Sequence, residues 1–281
     1  MNYKKTLEKI RKNATDYLKK YPNIKTLVIG VSGGMDSAMN CFILRPVCDE
    51  LGIKLIGRYI HIETNKQEEK NRALNVGKAF CNNFDAVDLT QLYKKSLPIY
   101  ELGMTPSDDI KTKTRRGNIK ARMRMIYLYN LAQENSGIVI DNDNKSEHEL
   151  GFWTLNGDVG DITPMSDLWK SDVYNLAKWV TSRNKSIEYF DSLFSENAIR
   201  ACIYAVPTDG LGITSSDLEQ FGAESYDQVD EILKEKDKFT FTIFGYRRMV
   251  KKHGYDIVKN ILSRQKNSEF KRNHPYKIKL T

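Results

Sequence analysis

Six consecutive residues, Ser32-Gly33-Gly34-Met35-Asp36-Ser37, combine the groups needed to hold a chain of phosphates. Gly33 and Gly34 let the backbone turn tightly and let an anion approach without meeting a Cβ. A helix starting here points its first unpaired N–H groups and its positive dipole end at the same anion. The hydroxyls of Ser32 and Ser37 add donors, and the carboxylate of Asp36 can hold a magnesium ion beside the phosphates. With the strand residues that lead in, the expected contact stretch is Gly30, Val31, Ser32, Gly33, Gly34, Met35, Asp36 and Ser37. The spacing is neither that of a Walker A loop nor Gly-x-Gly-x-x-Gly. A plain glycine turn is the bland alternative. All six residues in order, after an apolar strand and before a helix, weigh against it.

Two further stretches carry unusual chemistry. Ile138 to Glu147 reads Ile-Val-Ile-Asp-Asn-Asp-Asn-Lys-Ser-Glu, followed by Leu150-Gly-Phe-Trp-Thr154 and Gly157-Asp-Val-Gly-Asp161. Carboxylates and amides beyond a strand end suit a magnesium ion and a polar ligand. An Asx-rich turn capping a helix at Ser146 is the simpler reading. Gly117-Asn-Ile-Lys-Ala-Arg-Met-Arg-Met125 is basic, but its cations cannot share one helical face. Arg122 falls with Met125 and Arg124 with Lys120. The unremarkable version is a solvated helix with Met123 and Ile126 packed inward.

These loops need a frame. Leu7, Ile10, Ala14 and Leu18 recur at helical spacing and predict an opening amphipathic helix. The apolar run 26–31 predicts a strand buried on both faces, with a helix following over about 37–50. Strand 54–60, helix 66–81, strand 84–88, helix 117–134 and strand 137–141 continue the alternation. That pattern predicts an α/β fold, a doubly wound parallel sheet with helices on both faces. Such sheets bind ligands beyond their strands' carboxyl ends at the switch point, where the loops after Val31 and Asp141 fall. With no repeat or Pro/Gly-rich linker, residues 1–281 read as one unit.

The bulk properties narrow the class. Of 281 residues, 40% are apolar and 28% charged, as in ordinary globular proteins. No apolar run approaches the roughly 20 residues that span a bilayer, and the charged N-terminus lacks a secretion signal's apolar core. Cys41, Cys48, Cys81 and Cys202 have no Cys-x-x-Cys spacing, so a reduced, cytoplasmic protein without a membrane partner is expected. The charge of +8 suits nucleic acid or anionic nucleotides equally. No nucleic-acid-binding signature accompanies it, so no nucleic-acid partner is expected.

The loop at residues 32–37 resembles the Ser-Gly-Gly-x-Asp-Ser hallmark of N-type ATP pyrophosphatases, adenine nucleotide α hydrolase-like proteins that adenylate a carboxylate or carbonyl oxygen. The 117–125 segment resembles the Gly-Asn-(Val/Ile)-Lys-Ala-Arg-x-Arg-Met of NAD synthetases within that group, and the 138–161 series resembles the same family's strand, Asn-Lys-Ser-Glu and Gly-Asp-Gly-Gly segments. Pro164 to Lys170, Val206 to Leu211, Ser225 to Leu233 and Ser268 to Arg272 follow in register, so the likeness runs from about Leu27 to Arg272. The Ser225 to Leu233 match reads as structural, with Tyr226, Val229 and Leu233 spaced for packing.

The resemblance implies ammonia-dependent amidation of deamido-NAD to NAD through an acyl-adenylate, with ATP as co-substrate and Mg²⁺. It makes Asp36 and Lys170 catalytic, Asp36 and Glu147 the magnesium ligands, and Asn142, Lys170 and Thr208 ATP contacts beside the loop. Arg122, Leu155, Asp161, Phe270 and Lys271 fall at positions that meet the dinucleotide, and a homodimer is implied. Asn-Lys-Ser-Glu is the wording of the glutamine-dependent branch, but a chain of this length is not expected to hold that branch's glutaminase domain. Four positions depart from the pattern: Asn142 replaces a threonine, Leu155 a lysine, Val159 a glycine and Phe270 a histidine. Leu155 and Phe270 concern the acceptor. They keep open a related ligase acting on nicotinate mononucleotide, with an RNA-modifying pyrophosphatase as the more distant alternative.

Overall fold

The computed structural model describes residues 1–63, 66–182, 184–206, 216–238, 243–275 and 277–278. Alternating elements open the chain: α1 (Tyr3–Lys20), β1 (Thr26–Gly30), α2 (Met35–Leu51), β2 (Lys54–His61), α3 (Gln67–Phe80) and β3 (Asn83–Asp88). Two helices, α4 (Thr90–Tyr100) and α5 (Ile110–Glu134), precede β4 (Gly137–Ile140). Helices then follow as α6 (Lys145–Leu150), α7 (Lys170–Val180), α8 (Ser186–Tyr189), α9 (Leu193–Ile203) and α10 (Asp217–Phe221). The chain closes with α11 (Tyr226–Lys238), α12 (Ile243–His253), α13 (Tyr255–Asn267) and α14 (Glu269–Arg272).

The four strands are parallel in the order β3-β2-β1-β4. Alternate side chains point to opposite faces, which splits the sheet between two cores. Leu27, Ile29, Leu55 and Tyr59 enter the core formed with α1, α2, α3, α7 and α9. Val28, Ile56, Ile60 and Val139 enter the core with α4 and α5. Winding runs outward from β1 through β2 to β3, then returns to place β4 on the other side of β1. The chain ends of β1 and β4 therefore diverge, opening a crevice at the expected switch point.

Local chemistry explains several element ends. Asn2 caps α1, its side chain accepting from Lys5 N at 3.1 Å. Pro46 inside α2 cannot donate to the carbonyl of Phe42 four residues back; Arg11 from α1 donates to that carbonyl and to Ile43 O, both at 3.3 Å. The helix expected over 117–134 begins earlier, at Ile110, because Asp109 caps it by accepting from Thr112 N at 2.8 Å. Its first turns carry no apolar period, so only the cap marks the start. Strand β4 stops one residue before the expected Asp141, whose N–H donates instead to Ile162 O at 2.9 Å. On α5, Met123 is buried but Ile126 is 68% exposed, so the pair does not pack inward together. Met125 is buried while Arg122 is exposed, which separates a second pair expected on one face.

Glu101, just past α4, fastens α4 to α5. It accepts two bonds from Arg116, at 2.8 and 2.9 Å, and pairs with Arg115 at 2.8 Å. The Arg116 hydrogen bonds, aided by Arg115, hold its carboxyl down at about 2. A depressed carboxyl stabilises the fold above its unfolded value near 4.5 and loses that contribution as pH falls through the folded value. Glu101→Gln is expected to lower stability by about 1 kcal/mol at neutral pH. Denaturant melts of both proteins should show the gap closing between about pH 4.5 and 2.

Candidate active site

The glycine loop connects β1 to α2. Gly33 has φ +82°, and a Cβ there would lie 2.2 Å from the backbone oxygen of Glu69 on α3. Only glycine fits that position. Gly34, by contrast, is extended and serves as the N-cap of α2. The two serines tie the loop to itself. Their hydroxyls lie 3.1 Å apart, Ser37 Oγ donates to Gly34 O, and Gly34 N donates to Ser32 Oγ, each at 3.2 Å. Arg72 Nε fixes the loop from α3 by donating to Gly33 O at 2.8 Å. A loop bonded this way is pre-organised, so little reordering remains for a ligand to impose.

Asn40 on α2 laces the crevice together. Its amide nitrogen donates to Asp141 O at 3.2 Å and Asn142 Oδ1 at 3.0 Å, and Asn142 Nδ2 donates to Gly30 O at 2.9 Å. Asn142 thus links the ends of β1 and β4. Beyond it, Asn144 is the N-cap of α6, taking the role anticipated for Ser146. Asn144 Oδ1 accepts from Glu147 N at 3.2 Å, while Asn144 Nδ2 donates to Asp36 Oδ1 at 3.0 Å. The Asn144 backbone N–H donates to Glu147 Oε2 at 3.3 Å, so the one residue holds both carboxylates, Asp36 through its amide and Glu147 through its main chain.

Between those carboxylates sits Lys170, the first residue of α7 and only 4% exposed. Its ammonium donates to Glu147 Oε1 at 2.9 Å and to Asp36 Oδ2. Burial is the strongest influence on Lys170 and disfavours its charge, but Asp36 and Glu147 together outweigh it and hold the pKa well above the ordinary lysine range. Burial also pushes the Glu147 carboxyl up to about 8, against the pull of Lys170 and reinforced by Asp36. The causes differ: the two carboxylates favour the charged lysine, whereas a dry site disfavours the charged glutamate more than one shared ammonium can offset. Two carboxylates converging on one cation are a donor set that a divalent oxygen-seeking ion fits.

The support of Lys170 comes from α11. Ser146 Oγ accepts from Lys170 N at 2.8 Å and donates to Asp230 Oδ1, while Asp230 Oδ2 accepts from Ser171 N at 2.8 Å. Asp230 thus caps α7, whose own N-cap, Trp169, makes no side-chain bond. Tyr226, Val229 and Leu233 of the same helix are buried as their spacing predicts.

A cavity of about 290 Å³ joins these parts, and Gly30, Val31, Ser32, Gly34, Met35 and Ser37 line it with Asp36, Asn142, Glu147 and Lys170. Gly33 stands behind the wall, against α3. Arg58, Arg124, Asp143 and Asp158 also line the cavity and were not singled out from the sequence. Burial raises the Asp158 carboxyl to about 7 although Thr154 N donates to it at 2.7 Å. Burial, then Asp141 and Glu147, raise Asp143 well above its usual range. Both acids lie in the quoted loops, but pattern alone does not say which of several acids faces inward.

The residues expected at the dinucleotide lie elsewhere. Arg122 is exposed and donates from Nε to Leu155 O at 3.2 Å. The Asp161 carboxylate accepts from Val139 N at 2.8 Å and Tyr129 OH at 3.0 Å, so it pins the chain to β4. Lys271 donates to Gly151 O at 2.7 Å and to Trp153 O, and Phe270 is 63% exposed. Thr208 lies outside the described residues.

A phosphate-turn loop at the switch point of a parallel sheet, with paired carboxylates and a buried lysine opposite, defines a nucleotide-phosphate site of the ATP-pyrophosphatase kind. The NAD synthase family model matches residues 6–275. The NH₃-dependent NAD⁺ synthetase of Thermoplasma acidophilum is 31% identical over 289 residues, covering 99% of each chain. In fold, the chain resembles the NMN synthetase of Francisella tularensis, with a TM-score of 0.75, 23% identity, and 100% of this chain and 98% of that one covered. The NH₃-dependent NAD synthetase of Campylobacter jejuni gives a TM-score of 0.71 at 20% identity, covering 99% of this chain and all of that one. The chain belongs to the NAD synthase family.

The two loop glycines should respond differently to a methyl group. Gly33→Ala meets both the positive φ and the Glu69 carbonyl and is expected to lose about 2 kcal/mol or more. At Gly34 the nearest atom is the movable Ser32 Oγ at 3.3 Å, so Gly34→Ala should stay within about 1 kcal/mol of the parent. Urea midpoints of the two variants compare them directly.

Proposed function

We propose that this chain converts deamido-NAD to NAD, spending ATP and ammonia and releasing AMP and pyrophosphate. The single observation that carries the site assignment is the Lys170 ammonium held between Asp36 and Glu147 at the mouth of the glycine loop. The names of the relatives support the substrate, and the cavity supports the nucleotide.

In this reading the loop from Gly30 to Ser37 cradles the phosphates, with Asn142, Lys170 and Thr208 adding donors. Asp36 and Glu147 would hold Mg²⁺, whose charge neutralises phosphate oxygens when it is bound there. Lys170 would then exchange its carboxylate partners for the pyrophosphate that leaves. A nicotinate carboxylate oxygen attacks the α-phosphorus and the bond to the β-phosphate oxygen breaks. Ammonia next attacks the activated carbonyl carbon, AMP departs with the oxygen that linked them, and a proton is released. The chain's contribution is positioning and charge stabilisation, so no Ser-His or Cys-His pair is needed. Arg122, Asp161 and Lys271 are assigned to the dinucleotide, with Leu155 and Phe270 beside them.

A second acceptor, nicotinate mononucleotide, is favoured by one feature. Leu155 stands where the family's lysine meets the dinucleotide, and its carbonyl engages the Arg122 guanidinium. Exposed apolar side chains, Leu92 and Ile99 on α4 and Ile126 one turn from Arg122 on α5, support a homodimer that would cover them.

AMP release with ATP, Mg²⁺ and ammonia is expected with deamido-NAD and not with tRNA; nicotinate mononucleotide turning over faster would establish the second acceptor instead. Asp36→Ala should lower the rate by at least about 100-fold while circular dichroism stays unchanged, and near-normal turnover would remove the magnesium assignment. Sedimentation at micromolar concentration should give twice the chain mass, and a fully active monomer would contradict the homodimer.

A further inference from the structure

Away from the crevice, α11 and α12 bring Glu231, Glu235 and His253 together, with one ligand-capable atom of each within 4.8 Å of the others. The two glutamates are one helical turn apart on α11, and His253 ends α12. The His253 side chain is only 5% exposed, and its Nε2 is buried without a hydrogen-bond partner. Glu235 Oε2 is buried and lacks a hydrogen bond as well. Orphaned polar atoms of this kind are rare in native proteins because each forfeits its solvation, so their convergence on one point calls for a ligand. Nε2 stands 3.7 Å from Glu231 Oε2, too long for a hydrogen bond but close enough for both to reach one small ion.

We infer that Glu231, Glu235 and His253 form a zinc-type divalent cation site that clips α11 to α12. One imidazole nitrogen and two carboxylate oxygens, with a fourth position open to water, match the ligand set of zinc rather than the all-oxygen shell of magnesium. Two neighbouring cations oppose it: Lys252 pairs with Glu231 Oε1, and Arg248 stands 3.6 Å from Glu235 Oε2. Lys252 leaves Oε2 of Glu231, the oxygen that stands by His253, for the ion. The clip has a consequence for the crevice, because Glu231 directly follows Asp230, which caps α7 and seats Lys170.

The test uses the full chain, stripped with EDTA and dialysed into excess Mg²⁺ before Zn²⁺ is added. The expected result is one zinc retained per chain at micromolar concentration and a melting temperature that rises with zinc. His253→Gln and Glu235→Gln should weaken zinc retention by at least about tenfold, whereas Asp36→Ala should retain it. No retained zinc, equal retention by the folded His253→Gln variant, or loss of zinc in Asp36→Ala would overturn the assignment. Should His253→Gln fail to fold, Glu231→Gln on the open side of the site decides the matter by the same measurement.

Discussion

An ammonium with almost no contact to solvent governs the crevice. Moving a lysine charge out of water costs several kcal/mol unless partners replace its hydration. Lys170 obtains those partners from two loops at once: Asp36 belongs to the first turn after β1, and Glu147 to the first turn of α6. The pairing therefore fixes the distance between the loops after β1 and β4, which otherwise diverge at the switch point. It is also unbalanced by design of charge. Two carboxylates share one ammonium, and the rise of Glu147 comes first from its burial and then from the negative charge of Asp36, against the pull of Lys170. Such a site favours the arrival of further positive charge over its departure.

The rest of the crevice holds this cluster in place. Asn144 donates its backbone N–H to Glu147 Oε2 and its amide nitrogen to Asp36, so neither carboxylate can turn away independently. Asn40 and Asn142 do the same work one layer deeper, between the ends of β1 and β4. From the far side, Asp230 binds both Ser146 and Ser171 and locks the helix start that carries Lys170. Buried polar networks of this sort specify one geometry through the bonds they make, and of these side chains Asn40 keeps one buried atom, Oδ1, without a hydrogen-bond partner. Asp230 of α11 thus acts on the phosphate side of the molecule through the start of α7.

Much of this frame was legible in the sequence. A strand buried on both faces, a glycine turn and a helix follow from local rules, and the parallel alternation follows from their order. Glu147 and Lys170 came from resemblance, since neither carries a spacing of its own that demands proximity. What stayed hidden has physical causes. Ile126 breaks the inward pattern because it stands exposed, left uncovered by the described residues. The start of α5 rests on one capping aspartate rather than on an apolar period. Asp143 and Asp158 were two acids among several, and only packing turns them into the cavity. The amide network of Asn40 and Asn144 joins residues 102 and 108 positions apart, beyond any local signal.

The two halves of the proposed reaction differ in legibility for the same reason. A phosphate is recognised by backbone N–H groups and a helix end, so its site demands glycine at a fixed place and leaves a compact motif. A carboxylate acceptor is recognised by side chains drawn from separate segments, and each can be replaced without breaking the fold. Asp161 illustrates this: both of its oxygens are already engaged, by Val139 and Tyr129, and it ties the loop to β4 whatever else it meets. Arg122 and Phe270 are exposed, and Lys271 spends its ammonium on two main-chain carbonyls. For Lys271 to reach an acceptor, its bonds to Gly151 and Trp153 must be exchanged for new ones. The side chains assigned to the acceptor are thus exposed or already paired, while the glycine loop is held by its own hydrogen bonds and by Arg72.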